Sequence, residues 1–223
     1  MKITKIVSVL LVALAAANTA QATEIATTAS LGTTGFGLHL TTPLAAKLNA
    51  RVGVNYGRFT YDGNTDDVQY DFKLKLASFD ALLDYHPFDG AFRISGGLVY
   101  NGNNSEAIAK PNGNGTYELN GRIYPAAAVG DLSGKMEFRK TAPYLGIGFG
   151  NAVKAAGWNF GMDLGVTFQG APETSLSNRG CNAPAAVCTQ IASDVAAENA
   201  SFKEEVKDFD VYPVIRVGVS YRV

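Results

Sequence analysis

Residues 158–169 read WNFGMDLGVTFQ, and every second side chain is apolar: Trp158, Phe160, Met162, Leu164, Val166 and Phe168 alternate with Asn159, Gly161, Asp163, Gly165, Thr167 and Gln169. A β-strand sends alternate side chains to opposite faces, so this run has one bulky apolar face and one small, polar face. In a soluble sandwich the solvated face is commonly rich in Lys, Glu and Thr. Here that face carries two glycines and a single Asp, which suits the inside of a narrow barrel whose other face meets lipid.

The same pattern recurs along the chain. Leu48, Ala50, Val52, Val54 and Tyr56 oppose Asn49, Arg51, Gly53 and Asn55, and Phe92, Ile94, Leu98 and Tyr100 oppose Arg93, Ser95, Gly97 and Asn101. In VQYDFKLKL, Val68, Tyr70, Phe72, Leu74 and Leu76 oppose Gln69, Asp71, Lys73 and Lys75. The apolar row then moves to Phe79, Ala81, Leu83 and Tyr85, opposite Asp80 and Asp84, and the switch predicts a bulge at 77–79. GFGLHL (35–40), YLGIGFG (144–150) and VYPVIRVGVSYRV (211–223) extend the series. Repeated alternating segments of about ten residues are the signature of a transmembrane antiparallel β-barrel.

The connections fall into two kinds. TPLAAK, HPFDGA and NAVKAAG are short, whereas 102–136 and 170–208 are long and rich in Gly, Asn and Ala, the short-turn and long-loop asymmetry of outer-membrane barrels. The strand at 35–42 leads into a short turn, so an ascending strand must precede it. EIATTASL at 24–31, turning at GTTG, brings the count to eight; the alternative is one long strand over 24–42 with the eighth strand in TYELNGRIY at 116–124. Within the second long loop, Ile191, Val195, Phe202, Val206 and Phe209 lie near helical spacing behind Ser193, which predicts a short helix capped there.

Location is set by the first residues. Lys2 and Lys5, the apolar IVSVLLVALAAA and AQA ending at Ala22 form a secretory signal peptide over 1–22, leaving 23–223 as a single barrel domain. Removing Lys2 and Lys5 leaves 17 basic against 20 acidic side chains, a net charge of −3, with no basic run that would suit nucleic acid. Cys181 and Cys188, the two cysteines of an exported chain, are read as a disulfide.

Inside such a barrel, alternation places Arg51, Asp71, Lys73, Lys75, Asp80, Asp84, Arg93, Asp163, Asp210, Arg216 and Arg222 in the lumen. An eight-stranded barrel is only wide enough for its own side chains to fill it, so these groups are expected to interlock as ion pairs rather than to line an open pore. Catalysis is not expected: His39 and His86 are the only near-neutral bases, no acid partners His39 within the pattern, and neither lies near the cysteines to build a metal site. No cofactor motif is present.

GTTGFG (32–37), GKMEFRKTAPYLGIGFG (134–150), WNFGMDLGVTFQGAP (158–172), YPVIRVGVSYRV (212–223) and the loop stretch YELNGRIYPAAAVGDLSGKM (117–136) resemble the carbapenem-associated outer-membrane protein family, small barrels described as uptake channels for ornithine and other basic amino acids. The resemblance implies an outer-membrane barrel offering passive uptake to small cationic or zwitterionic solutes. The alternative is a closed structural or surface-interaction barrel of the outer membrane without transport activity. Outer-membrane lipid and the barrel assembly machinery are the expected partners. Such barrels usually end on Phe or Trp; here Tyr221 supplies the aromatic assembly signal and Val223 departs from it.

Overall fold

The computed structural model describes residues 24–64, 69–111 and 114–222, with side chains except at 61–64 and 69–72. The signal-peptide assignment, Val223 and the Asp71 side chain lie outside these residues. In chain order the elements are β1 (Ala26–Gly32), β2 (Gly35–Ala45), β3 (Leu48–Asn64), β4 (Gln69–Tyr85), β5 (Phe92–Asn101), β6 (Asn104–Lys110), β7 (Thr116–Leu119), β8 (Arg122–Pro125), α1 (Ala126–Val129), β9 (Asp131–Glu137), β10 (Thr141–Phe149), β11 (Gly157–Phe168), β12 (Glu173–Arg179), α2 (Ala185–Glu205) and β13 (Val211–Arg222).

Eight of these strands close an antiparallel barrel in the order β1, β2, β3, β4, β5, β10, β11, β13. Closure is made by the last strand against the first, from Ala26 opposite Arg222 to Gly32 opposite Arg216. The strand over 24–31 is therefore a separate barrel strand, and 116–124 belongs to the small β7–β8 hairpin of the first long loop. The β1–β2 turn is tight enough that Gly35 takes a φ of +87°, and a Cβ there would stand 2.4 Å from the Tyr56 carbonyl oxygen. Only glycine meets both conditions.

Alternation works as the period-two reading requires. Leu38, Val54, Leu83, Leu98, Leu145, Phe160, Leu164, Ile215 and Val217 are all exposed on the outer wall, while Arg51, Asp80, Asp84, Ser95, Asp163 and Arg216 are buried inside. An apolar band of this extent on a closed barrel is a lipid-facing surface.

The predicted bulge at 77–79 is absent. The β3–β4 register runs without a break from Leu48 opposite Tyr85 to Asn64 opposite Gln69. What changes is the other neighbour of β4, which pairs with β5 over Ser78–Tyr85 and with β6 over Gln69–Lys75. Even-numbered Leu76, Asp80, Leu82 and Asp84 are buried on one continuous inner row, and Lys73 and Lys75 are exposed on the outer row. The apolar set changes face because the strand leaves the apolar band: below the exchange the outer face is apolar, and above it the apolar residues turn inward and the charges outward. Lys73 and Lys75 are thus not lumen residues.

Above the band β3, β4, β6, β9 and β12 continue as one sheet. A second core of Tyr117, Leu119, Val129, Ile191 and Val195 joins the β7–β8 hairpin to α2. The helix begins at Ala185, directly after Pro184, so Ser193 lies inside it and caps nothing. Proline presets φ at the helix entrance, and an alanine-rich first turn needs no later start. Cys181 and Cys188 form a disulfide that joins the approach of this helix to its first turn.

Candidate functional site

The lumen is filled from the short-turn end by charged side chains that the strands bring together from distant parts of the chain. Arg51 of β3 donates to Asp163 Oδ2 (2.8 Å) and Oδ1 (3.1 Å) of β11, and to Asp84 Oδ1 (3.0 Å) of β4. Arg93 of β5 donates to the same Asp163 Oδ1 (2.7 Å) and to the Gly150 carbonyl. Ser95 donates to Asp84 (2.5 Å). A second group lies beside the first: Arg216 of β13 pairs with Asp80 of β4 at 2.7 Å, and His39 Nε2 of β2 stands 3.2 Å from Asp80 Oδ2 and 3.4 Å from Arg216 Nη1. Asn55 donates to Asp80 (3.0 Å), and Arg216 Nε donates to Thr34 (3.1 Å).

The charges balance, with Arg51, Arg93 and Arg216 against Asp80, Asp84 and Asp163, all buried. Buried ions are tolerated only when paired and hydrogen-bonded, because their desolvation costs several kcal/mol each. Two carboxylates shared among forked guanidinium groups meet that condition with planar, near-bidentate geometry.

The inward glycines make this packing possible. A Cβ on Gly53 would stand 2.2 Å from the His39 ring, and one on Gly148 would stand 2.7 Å from Arg93 Nε. Cβ atoms on Gly146 and Gly165 would each come within 2.5 Å of the Tyr144 hydroxyl. The glycines leave room in the lumen, and the protein's own large side chains occupy it.

Towards the long-loop end, Leu82, Val99, Tyr144 and Val214 form a buried apolar layer with Tyr212 against it. Beyond it Asn101 donates to Gln169 (3.3 Å), and Gln169 to the Phe209 carbonyl (3.1 Å). The space left is a cavity of about 40 Å³, bordered among others by Ser30, His39, Thr41, Arg51, Asp163 and Arg216. Such a volume suits water-sized occupants. Ser30 and Thr41 are buried there with no protein hydrogen-bond partner for their hydroxyls.

Several sequence-predicted lumen residues lie elsewhere. Besides Lys73 and Lys75, Asp210 is exposed in the turn entering β13, where its carbonyl accepts from Gly170. It precedes the strand, so alternation no longer governs it. Arg222 is at the short-turn mouth, donating to the Val153 carbonyl (2.7 Å) and pairing with Glu24 (2.8 Å). His39 has the acid partner that the pattern within one strand did not reveal, because Asp80 lies two strands away across β3. His86 is a turn residue held by Asn49 (3.2 Å) and near the Gly90 carbonyl (3.1 Å).

The long-loop assembly contains its own polar centre. The buried carboxylate of Asp194 on α2 accepts from Tyr124 (2.5 Å), Arg122 (3.2 Å), Asn120 (3.2 Å) and Gln190 (3.2 Å). The Tyr124 hydrogen bond first, then those from Asn120 and Gln190 and the Arg122 charge, hold Asp194 below the usual carboxylate range. One side chain thereby ties the β7–β8 hairpin to the helix.

No family model and no curated protein matches the sequence. Solved structures do. Acinetobacter baumannii CarO2 superposes with a TM-score of 0.58 at 18% identity, covering 91% of this chain and 100% of that one. Acinetobacter baumannii CarO gives 0.54 at 18% identity, covering 89% and 97%. In fold, the chain is a CarO-like eight-stranded β-barrel.

Proposed function

We propose that the protein is a closed outer-membrane barrel that works through the rigid assembly at its long-loop end rather than through its lumen. The observation that carries this reading is the filled interior: a balanced charge network and an apolar layer stand in series across the barrel. The apolar outer band and the sequence of residues 1–22 support export and insertion in the outer membrane, with lipid and the barrel assembly machinery as partners. In the long loops, a separate apolar core, a disulfide and the Asp194 centre hold a defined surface, as an envelope-stabilising or surface-interaction role requires. His39 has a structural part in this reading, held between Asp80 and Arg216, and no enzymatic activity is assigned.

Uptake of basic amino acids is the second reading, supported by the CarO-like fold and by the polar cavity on the short-turn side. It requires Arg51 and Asp163 to separate and the Leu82–Tyr144–Val214 layer to part. Planar-bilayer conductance and liposome swelling with ornithine decide between the two. The refolded barrel should give neither channel steps nor swelling; ornithine-dependent swelling would overturn the closed reading.

A further inference from the structure

The outer wall of β3 and β4 changes character in steps along the barrel axis. Cross-strand neighbours on this face are Val54 with Phe79, then Tyr56 with Ala77, then Arg58 with Lys75, then Thr60 with Lys73. Val54 and Tyr56 are exposed on the apolar band, and Arg58, Lys73 and Lys75 are exposed beyond it. Successive rungs are two residues, or about 7 Å of strand, apart. An aliphatic, aromatic, then cationic ladder therefore spans the distance from acyl chains to headgroups, with the aromatic at the height where interfacial Tyr is favoured.

Among the described residues, these cations are left to face outward unpaired: Arg58, Lys73 and Lys75 have no ion-pair or hydrogen-bond partner there. On the adjoining strand β6, Asn104 stands opposite Lys75 and Glu106 opposite Lys73. Lys135 of β9, which faces Glu106, pairs with Glu137 at 3.1 Å. The backbone register sets Asp62 opposite Asp71 on the next rung outward. The positive charge is thus confined to the two rungs directly above the aromatic one, where lipid headgroups lie.

We infer that Arg58, Lys75 and Lys73 form a binding site for the phosphate groups of a phosphorylated glycolipid in the leaflet at the long-loop end. The acyl chains lie against Val54, Phe79 and Tyr56, and the phosphate oxygens accept from the three side chains. Arg58 supplies a planar fork for phosphate, and the lysines supply point charges. The inference rests on the outer-membrane reading above. Each cation near a charged lipid surface contributes about fivefold in affinity, so the three together contribute on the order of 100-fold.

The test uses the full refolded chain in phosphatidylcholine nanodiscs, with bisphosphorylated lipid A bound per barrel read by native mass spectrometry. Arg58→Gln/Lys73→Gln/Lys75→Gln should lose about 100-fold in lipid A affinity. Arg179→Gln/Lys203→Gln/Lys207→Gln, which removes equal charge elsewhere on the same assembly, should bind as wild type does. Lys75→Gln alone, expected to lose about fivefold, keeps the test decisive if the triple variant does not fold. Equal losses in both triple variants, or no loss in the Arg58 set, would overturn the site. So would displacement of lipid A by inorganic phosphate, which would make it a free-anion site. A barrel that never enters nanodiscs would refute the membrane reading itself, a separate outcome from an inserted barrel indifferent to lipid A.

Discussion

Replacing Asp163 with Ala tests whether the lumen is a dry, interlocked core. Asp163 is 5% exposed and accepts three hydrogen bonds, two from Arg51 and one from Arg93. Its loss leaves two guanidinium groups competing for Asp84 and gives the lumen an uncompensated positive charge. Removing one partner of a buried, hydrogen-bonded ion pair costs about 3–5 kcal/mol. Asp163→Asn keeps an acceptor oxygen of similar shape and should cost less, roughly 1.5–3 kcal/mol for the lost charge-assisted bonding. Urea unfolding of the refolded barrel in lipid vesicles measures this, with Trp158, the sole tryptophan and exposed on the outer wall, as the fluorescent reporter. Asp210→Asn, in an exposed turn, is the control and should fall within about 0.5 kcal/mol of wild type. Removing Arg93 together with Asp163 restores the charge balance, so the double variant should be more stable than the two single losses added, by about 0.5–3 kcal/mol. If Asp163→Ala is no worse than Asp210→Asn, the lumen charges are hydrated and the argument for a filled interior fails.

Three further outcomes follow from particular contacts. Gly53→Ala drives a methyl group into the His39 ring and towards the Leu38 carbonyl, and should destabilise the barrel by about 1–3 kcal/mol in the same urea titration. Because Asp194 has a lowered pKa in the folded protein, its contribution is fully present above the ordinary carboxylate range and is lost as pH falls through the lowered value. Acidification below about pH 4 should therefore speed hydrogen exchange at 116–125 while the barrel strands stay protected, and Asp194→Asn should show fast exchange already at neutral pH. Deleting residues 221–223 removes the Tyr221 ring from its edge contact with Trp158 at 5.0 Å, and removes Arg222 from Glu24. Assembly into the heat-modifiable form on electrophoresis should fail, whereas Val223→Phe should keep or raise its yield.

How much of the lumen was legible depends on which strand carries each residue. Arg51, Asp84, Arg93, Asp163 and Arg216 all sit mid-pattern on strands whose opposite row is bulky and apolar, so alternation alone turns them inward. Lys73 and Lys75 obey the same alternation on a strand that outlives the apolar band. There the correlation between apolar and outward reverses, and the sequence registers this as a false bulge. The charge pairs could not be read at all. His39 meets Asp80 across an intervening strand, and Arg51 meets Asp163 across half the barrel, because closure makes neighbours of residues 41 and 112 positions apart.

The sequence by itself determined the barrel class, the strand count once the short turns were given a direction, the faces of most strands and the disulfide. These are local quantities: a period of two, turn lengths and two cysteines seven positions apart. Tertiary structure alone decided that the space over the glycines is occupied by Arg93, His39 and Tyr144, that β4 exchanges β5 for β6 without a bulge, and that Asp194 centres a second core. Each of those depends on which side chains meet through space, and no one-dimensional pattern records the shear of the barrel or the path of its loops.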